Sequence, residues 1–198
     1  MDPDEKRVSC YFKDRELMST RFSKAEIRTG KTPDFRVSQN GALVFYCEVK
    51  SIKKDTWLDK QIEESEPGKL AGGLRKDPIF NRLTADIHEA VKQFNAVNKD
   101  EKYPNVLALV NHDKMCGFND LLAILTGNFY VNDGTTHPIY EKFSDGHIKD
   151  EKIKIHLFIW IDNYKKDRLL FSQTNDAHQR LLCSVFGISQ NSIKQIQY

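Results

Sequence analysis

Thr32-Pro33-Asp34-Phe35-Arg36-Val37, then Ser38-Gln39-Asn40-Gly41, then Val44-Phe45-Tyr46-Cys47-Glu48-Val49-Lys50 is the stretch whose reading decides the fold. Two apolar runs flank an Asn-Gly step, and those two residues accept the positive φ angles of a tight hairpin turn. The stretch therefore predicts two antiparallel strands joined at Gln39-Asn40-Gly41. Side chains alternate along a strand, so Glu48 and Lys50 share one face, about 6 to 7 Å apart, while Val49 points to the other. The turn folds Asp34 back alongside Glu48. Two carboxylates held together repel unless a cation sits between them, and a few oxygens with open water positions suit Mg²⁺ or Mn²⁺. Lys50 adds a mobile positive charge at the rim.

Pro33-Asp34 followed by Glu48-x-Lys50 on a hairpin resembles the PD-(D/E)xK nuclease superfamily. The setting adds to the motif: a strand, the Asn-Gly turn, an apolar strand ending in the triplet, and a later amphipathic helix with Lys92-Gln93-Phe94. The resemblance covers roughly Glu5 to Asn111. It implies an α/β restriction-endonuclease-like fold, an αβββαβ core with a mixed central sheet flanked by helices, followed by a C-terminal strand and helix. It also implies a metal-dependent nuclease acting on DNA. Mg²⁺ or Mn²⁺ would be held by Asp34, Glu48 and the backbone carbonyl of Val49, with Lys50 orienting the water or neutralising the scissile oxygen. Gln93 is the helix residue that would place water or substrate. In such enzymes an acid of the first helix approaches the metal, which here points to Glu16 or, less directly, Glu5; the alternative for each is a solvated helix end.

At 198 residues the chain fits one domain that buries a full core. Its core is expected over about 4–111 and an elaboration over about 112–188. Thirty Lys and Arg against 28 Asp and Glu leave a net charge of +2, so a nucleic-acid footprint must come from local clustering. Cys10, Cys47, Cys116 and Cys183 are widely spaced without a CxxC pair, and no signal peptide opens the chain. Reduced thiols in a cytoplasm are the expectation. The longest apolar run, Leu157 to Ile161, is too short for a bilayer.

The rest of the chain supplies the frame. Val8, Tyr11 and Phe12 make a core-facing stripe on a first helix expected from about Asp4 to Leu17, a face that continues to Glu16. Phe22 to Arg28 reads as a weak strand. Thr29-Gly30-Lys31-Thr32 lacks the upstream glycine of a phosphate-binding loop, since Ala25 occupies that position, and is read as a turn. Ser51 to Lys76 is a long connection carrying Lys53, Lys54, Lys60, Lys69, Arg75 and Lys76, with a short helix around Trp57 to Ile62; its bases could touch a phosphate backbone, or it is a solvated excursion of mixed charge. From Pro78 or Ile79 to about Val97, Leu83, Ile87, Ala90, Val91, Phe94 and Val97 form one apolar stripe flanked by Arg82, Asp86, Glu89 and Gln93. Asn105 to Val110 reads as a strand covered on both faces, and Asn119 to Leu125 as a helix ended by Gly127. Asn128 to Asp150 is expected to be irregular, with turns at Asn132-Asp133-Gly134 and Ser144-Asp145-Gly146. Ile153 to Ile161 alternates as a strand, Asp176 to Val185 as a helix, and the tail from Ser189 as frayed.

Other chemistries find weaker footing. The six histidines show no HxxxH or HExxH pairing, which argues against a zinc hydrolase, and no nucleophile elbow is present. Asn111-His112-Asp113 hints at a histidine-metal nuclease but follows a buried strand rather than the hairpin such sites use. The competing class is an inactive nuclease-fold module that binds nucleic acid or a protein. A homodimer would suit cleavage of both strands of a duplex.

Overall fold

The structure is a computed structural model and describes residues 1–54, 56–66, 68–69, 79–131, 133–139, 145–162, 167–172 and 176–193. Arg75 and Lys76 of the basic connection, its Gly72 and Gly73, Pro78, Asn132, Ser144 and the end of the tail lie outside the described residues. A central sheet of six strands runs in the order β1 (Met18–Arg21), β2 (Phe35–Gln39), β3 (Ala42–Ile52), β4 (Asn105–Asn111), β7 (Leu157–Asp162) and β8 (Arg168–Phe171). The first three strands form an antiparallel meander, β3, β4 and β7 are parallel, and β8 returns antiparallel. The sheet is therefore mixed, with helices on both faces. A separate hairpin pairs β5 (Asn128–Tyr130) with β6 (Thr136–Pro138).

The expected turn is present. Asn40 and Gly41 take φ of 51° and 81°, which closes a two-residue hairpin with Gln39 opposite Ala42. A register shift after Val37 inserts Val44 as an extra residue, so Val44 and Phe45 both turn to the same side of the sheet.

On that side lie α1 (Pro3–Lys13), through Val8, Tyr11 and Phe12, and α6 (Asp176–Phe186), through Leu182 and Val185. On the opposite side α4 (Ile79–Val97) lays Leu83, Ile87, Ala90, Val91 and Phe94 over Tyr46, Ile52, Leu107 and Leu109, with α5 (Phe118–Thr126) beside it. Each of the large side chains so buried contributes roughly 1.5–3 kcal/mol relative to exposure. The apolar stripe of α4 thus explains why that helix covers β3 and β4. The crossover from β3 to β4 passes through α4, as parallel neighbours require. Every residue of β4 is buried, as expected for a central strand covered on both faces.

Several boundaries differ from the sequence reading. The first helix ends at Lys13, and Asp14 to Glu16 form a turn with Glu16 at φ 59°, before β1 begins at Met18. Phe22 to Arg28 is not a strand: Ser23 and Glu26 make a reciprocal capping box that starts α2 (Lys24–Thr29). The meander's first strand is instead the short, mostly exposed edge Met18–Arg21. The helix in the long connection is α3 (Trp57–Glu64). The alternation from Ile153 overshoots, because Lys152–Lys154 is a short 3-10 turn and the strand begins at Leu157. The segment from Asn128 carries the β5–β6 hairpin, and β8 follows unanticipated.

Candidate active site

The pairing of β2 with β3 ends at Phe35 opposite Cys47, while β3 runs on to Ile52. Beyond that rung the edge of β3 facing β2 has backbone groups that the ladder no longer serves, and unpaired buried amides are costly. Asp34, the residue just before β2, fills the gap. Its Oδ2 accepts the Val49 amide at 2.9 Å, and its own amide donates to Glu48 Oε2 at 3.1 Å. Each carboxylate is thus pinned by the backbone beside the other. In an extended strand a residue's amide and carbonyl point to the same side, so the Val49 carbonyl faces the Asp34 side as well.

Glu48 and Lys50 extend from the face of β3 that α4 covers. Glu48 is only 2% exposed. Lys50 is not a mobile group at the rim: its Nζ lies 2.9 Å from Glu48 Oε1 and donates to Gln93 Oε1 at 3.3 Å. Gln93 Nε2 in turn donates to the Thr32 carbonyl at 3.2 Å, which ties α4 to the segment leading into β2. Burial raises the Glu48 pKa to about 7; the Asp34 charge adds to the rise, and Lys50 opposes it.

The structure therefore brings Asp34, Glu48, the Val49 backbone, Lys50 and Gln93 together. It does not bring Glu16 to them. Met18 pairs with Ser38 and Arg21 with Phe35, so the exposed Glu16 turn sits at the far end of β2, on the order of 13 Å along the strand from Asp34. The expected helix continuation fails because the chain leaves α1 at Lys13. Glu5 caps the α1 N-terminus through the Asp2 amide and pairs with Arg21 at 3.1 Å. The first-helix acid that does reach β3 is Asp4, on the other face, where it accepts from Ser51 Oγ at 2.5 Å and lies 2.9 Å from His112 Nε2.

One acid that the sequence reading placed on the α4 flank, without a role in the site, lies near Lys50. Asp86 sits on α4 two turns before Gln93, on the same flank, and its pKa is raised to about 6 by burial, with Lys50 and Arg82 opposing. The seven-residue spacing to Gln93 was a usable signal, because it places both side chains along one line of a helix. Lys50 thus acts on Glu48 and Asp86, and more weakly on Glu89.

No family model, no curated protein and no solved structure matches. Among the described residues no third His, Cys, Asp or Glu completes a cluster with the two acids. The donors are two carboxylates and a backbone carbonyl, all hard oxygens, and a cation would offset the burial and the Asp34 charge that raise Glu48. That set fits Mg²⁺ or Mn²⁺ retaining several waters. No described helix is long and apolar enough to cross a membrane.

Proposed function

We propose that this protein is a metal-dependent nuclease of the PD-(D/E)xK type, with a restriction-endonuclease-like core, hydrolysing phosphodiester bonds in DNA. The observation that carries the reading is the reciprocal pinning of Asp34 and Glu48 with the Lys50 ammonium 2.9 Å from Glu48. The order α1, three meander strands, α4 and parallel β4 supports the same reading. Asp34, Glu48 and the Val49 carbonyl would hold the ion. When bound, it supplies Lewis acidity toward the phosphate and lowers the pKa of water.

The remaining chemistry belongs to the chain. Hydrolysis forms one P–O bond from water and breaks another, leaving a phosphomonoester and a hydroxyl, while negative charge grows on the non-bridging oxygens. Lys50 supplies the positive charge that meets this growth. Gln93 fixes Lys50 by accepting from it while donating to Thr32, so the ammonium is positioned before substrate arrives. Placement of Glu48 away from solvent strengthens these interactions.

The direct test is incubation of the purified protein with plasmid, linear, nicked and forked DNA in Mg²⁺ or Mn²⁺, with Lys50→Ala as control. Cleavage that requires the ion and is lost in the variant is expected. Absence of cleavage across single- and double-stranded DNA and RNA with every divalent ion contradicts the reading. That result would leave the inactive binding module, for which the self-satisfied hydrogen bonding of both acids is the favouring observation.

A further inference from the structure

A cleft of about 580 Å³ opens beside the acids, walled by α2 and the Gly30-to-Pro33 segment on one side and reaching Gln93 of α4 on the other. Its lining carries Arg21, Arg28 and Lys31 against a single acid, Asp34. For a chain whose net charge is only +2, that is a strong local concentration of positive charge. Arg21 and Lys31 are exposed and pair with part-buried acids, Glu5 at 3.1 Å and Glu89 at 2.7 Å. Surface pairs of this kind are worth at most about 1 kcal/mol, so an incoming phosphate can exchange for either acid. Arg28 is exposed and has no hydrogen-bond or ion-pair partner among the described residues. Beside it Ile27 is 49% exposed, an apolar side chain in a basic wall.

A basic wall interrupted by one exposed aliphatic side chain matches a nucleotide strand, with anionic backbone and apolar sugar and base surface. The dimensions select the form of that strand. The cleft is the size of ordinary small-ligand sites, about 300–1,000 Å³, and a duplex, whose major groove alone is about 12 Å wide, is too broad to enter. Its lining includes Asp34, half-buried, and Gln93, and Glu48, which accepts from the Asp34 amide, is 2% exposed. A phosphate can reach acids so recessed only on a strand freed from its complement.

We infer that this cleft is the substrate-strand site and that it takes single-stranded DNA, such as a flap, a frayed end or a splayed junction arm, with Arg28 and Lys31 on the phosphates and Ile27 against a sugar or base. The assignment rests on the reading of Asp34 and Glu48 as the hydrolytic centre. Its test can be separated from that reading because binding is measured without turnover.

The probe is a fluorescein-labelled 12-nucleotide single strand, compared with a blunt 12-base-pair duplex, by fluorescence anisotropy in Ca²⁺ across a salt series. The account expects the single strand to bind at least tenfold more tightly. It also expects the Arg28→Ala/Lys31→Ala protein to lose about tenfold in affinity for the single strand and to show a salt slope reduced by roughly 1 to 2. Circular dichroism and melting of the double variant should match the parent, since both side chains are exposed. Equal or tighter binding of the duplex overturns the inference, as does unchanged single-strand affinity in the double variant. Arg28-dependent strand binding without cleavage in Mg²⁺ supports the cleft and removes only the hydrolytic reading. Cleavage of intact duplex that is indifferent to Arg28 and Lys31 overturns the cleft and leaves the hydrolytic reading in place.

Discussion

Strand β3 carries a charged cluster on each of its faces, and the two are built differently. On the α1 face, Asp4 is held by the Ser51 hydroxyl and the His112 imidazole, so one acid meets two hydrogen-bonding partners. On the α4 face, Glu48 and Asp34 sit together, pinned by backbone amides, with the Lys50 ammonium 2.9 Å from Glu48. The first arrangement fastens α1 to β3 and to His112, just past the end of β4. In the second, burial pushes the Glu48 pKa up to about 7, with the Asp34 charge adding to the rise and Lys50 opposing it. A buried pair whose ionised form is disfavoured by burial is one that a bound cation would stabilise.

The largest expected effect comes from breaking the second cluster. Asp34→Asn or Glu48→Gln should lower metal-dependent cleavage by about a thousandfold or more, as expected when a charge-stabilising group is lost, measured as initial rates on labelled DNA. Asp4→Asn should leave those rates within a few-fold. If both faces respond alike, the contrast between them is wrong.

The next effect concerns pH. A folded-state pKa near 7 for Glu48, against the model-peptide value of 4.5, means that the folded protein holds this proton more tightly than the unfolded chain. The contribution is fully present below about pH 4.5 and is lost as pH rises through 7, amounting to on the order of 2–3 kcal/mol. Urea unfolding at pH 5 and pH 8 should show that loss in the parent, and Glu48→Gln should flatten it. Added Mg²⁺ should restore stability at pH 8 in the parent alone, through preferential binding to the folded state.

On the first face the expected change is smaller and purely structural. Asp4→Asn weakens bonds to Ser51 and His112 and should cost about 1–2 kcal/mol in urea unfolding. The smallest effect belongs to Asp86, which shares Lys50 with Glu48. Asp86→Asn should change cleavage only a few-fold, and mostly above pH 6, where this carboxyl is ionised in the parent. A pH–rate profile of the variant that overlays the parent would remove Asp86 from the site.

Where local chemistry dictates one conformation, the sequence was legible. Asn40-Gly41 specified the hairpin, and with it the return of Asp34 to Glu48. The stripe from Leu83 to Phe94 specified α4, and Gln93 came to Lys50 with it. Elements that bury little left weak traces. Met18–Arg21 is a short edge strand whose pattern is set by pairing with β2, and neither its residues nor those of β5 and β6 alternate cleanly. Phe22 to Arg28 read as a weak strand, yet the Ser23 and Glu26 capping box starts a helix there. Glu16 was misplaced because periodicity does not mark where α1 stops. Asp4 and Asp86 gained their neighbours through tertiary packing, with His112 of Asp4 more than a hundred residues away along the chain.

The most direct measurement is Mn²⁺ binding, followed by electron paramagnetic resonance of the free ion at pH 7.5, in the parent and in Asp34→Asn and Glu48→Gln. The account predicts saturable uptake by the parent and loss of that uptake in both variants, with the Asp4→Asn protein binding as the parent does. No uptake by the parent, or uptake that survives both substitutions, would contradict the claim that these two acids share an ion.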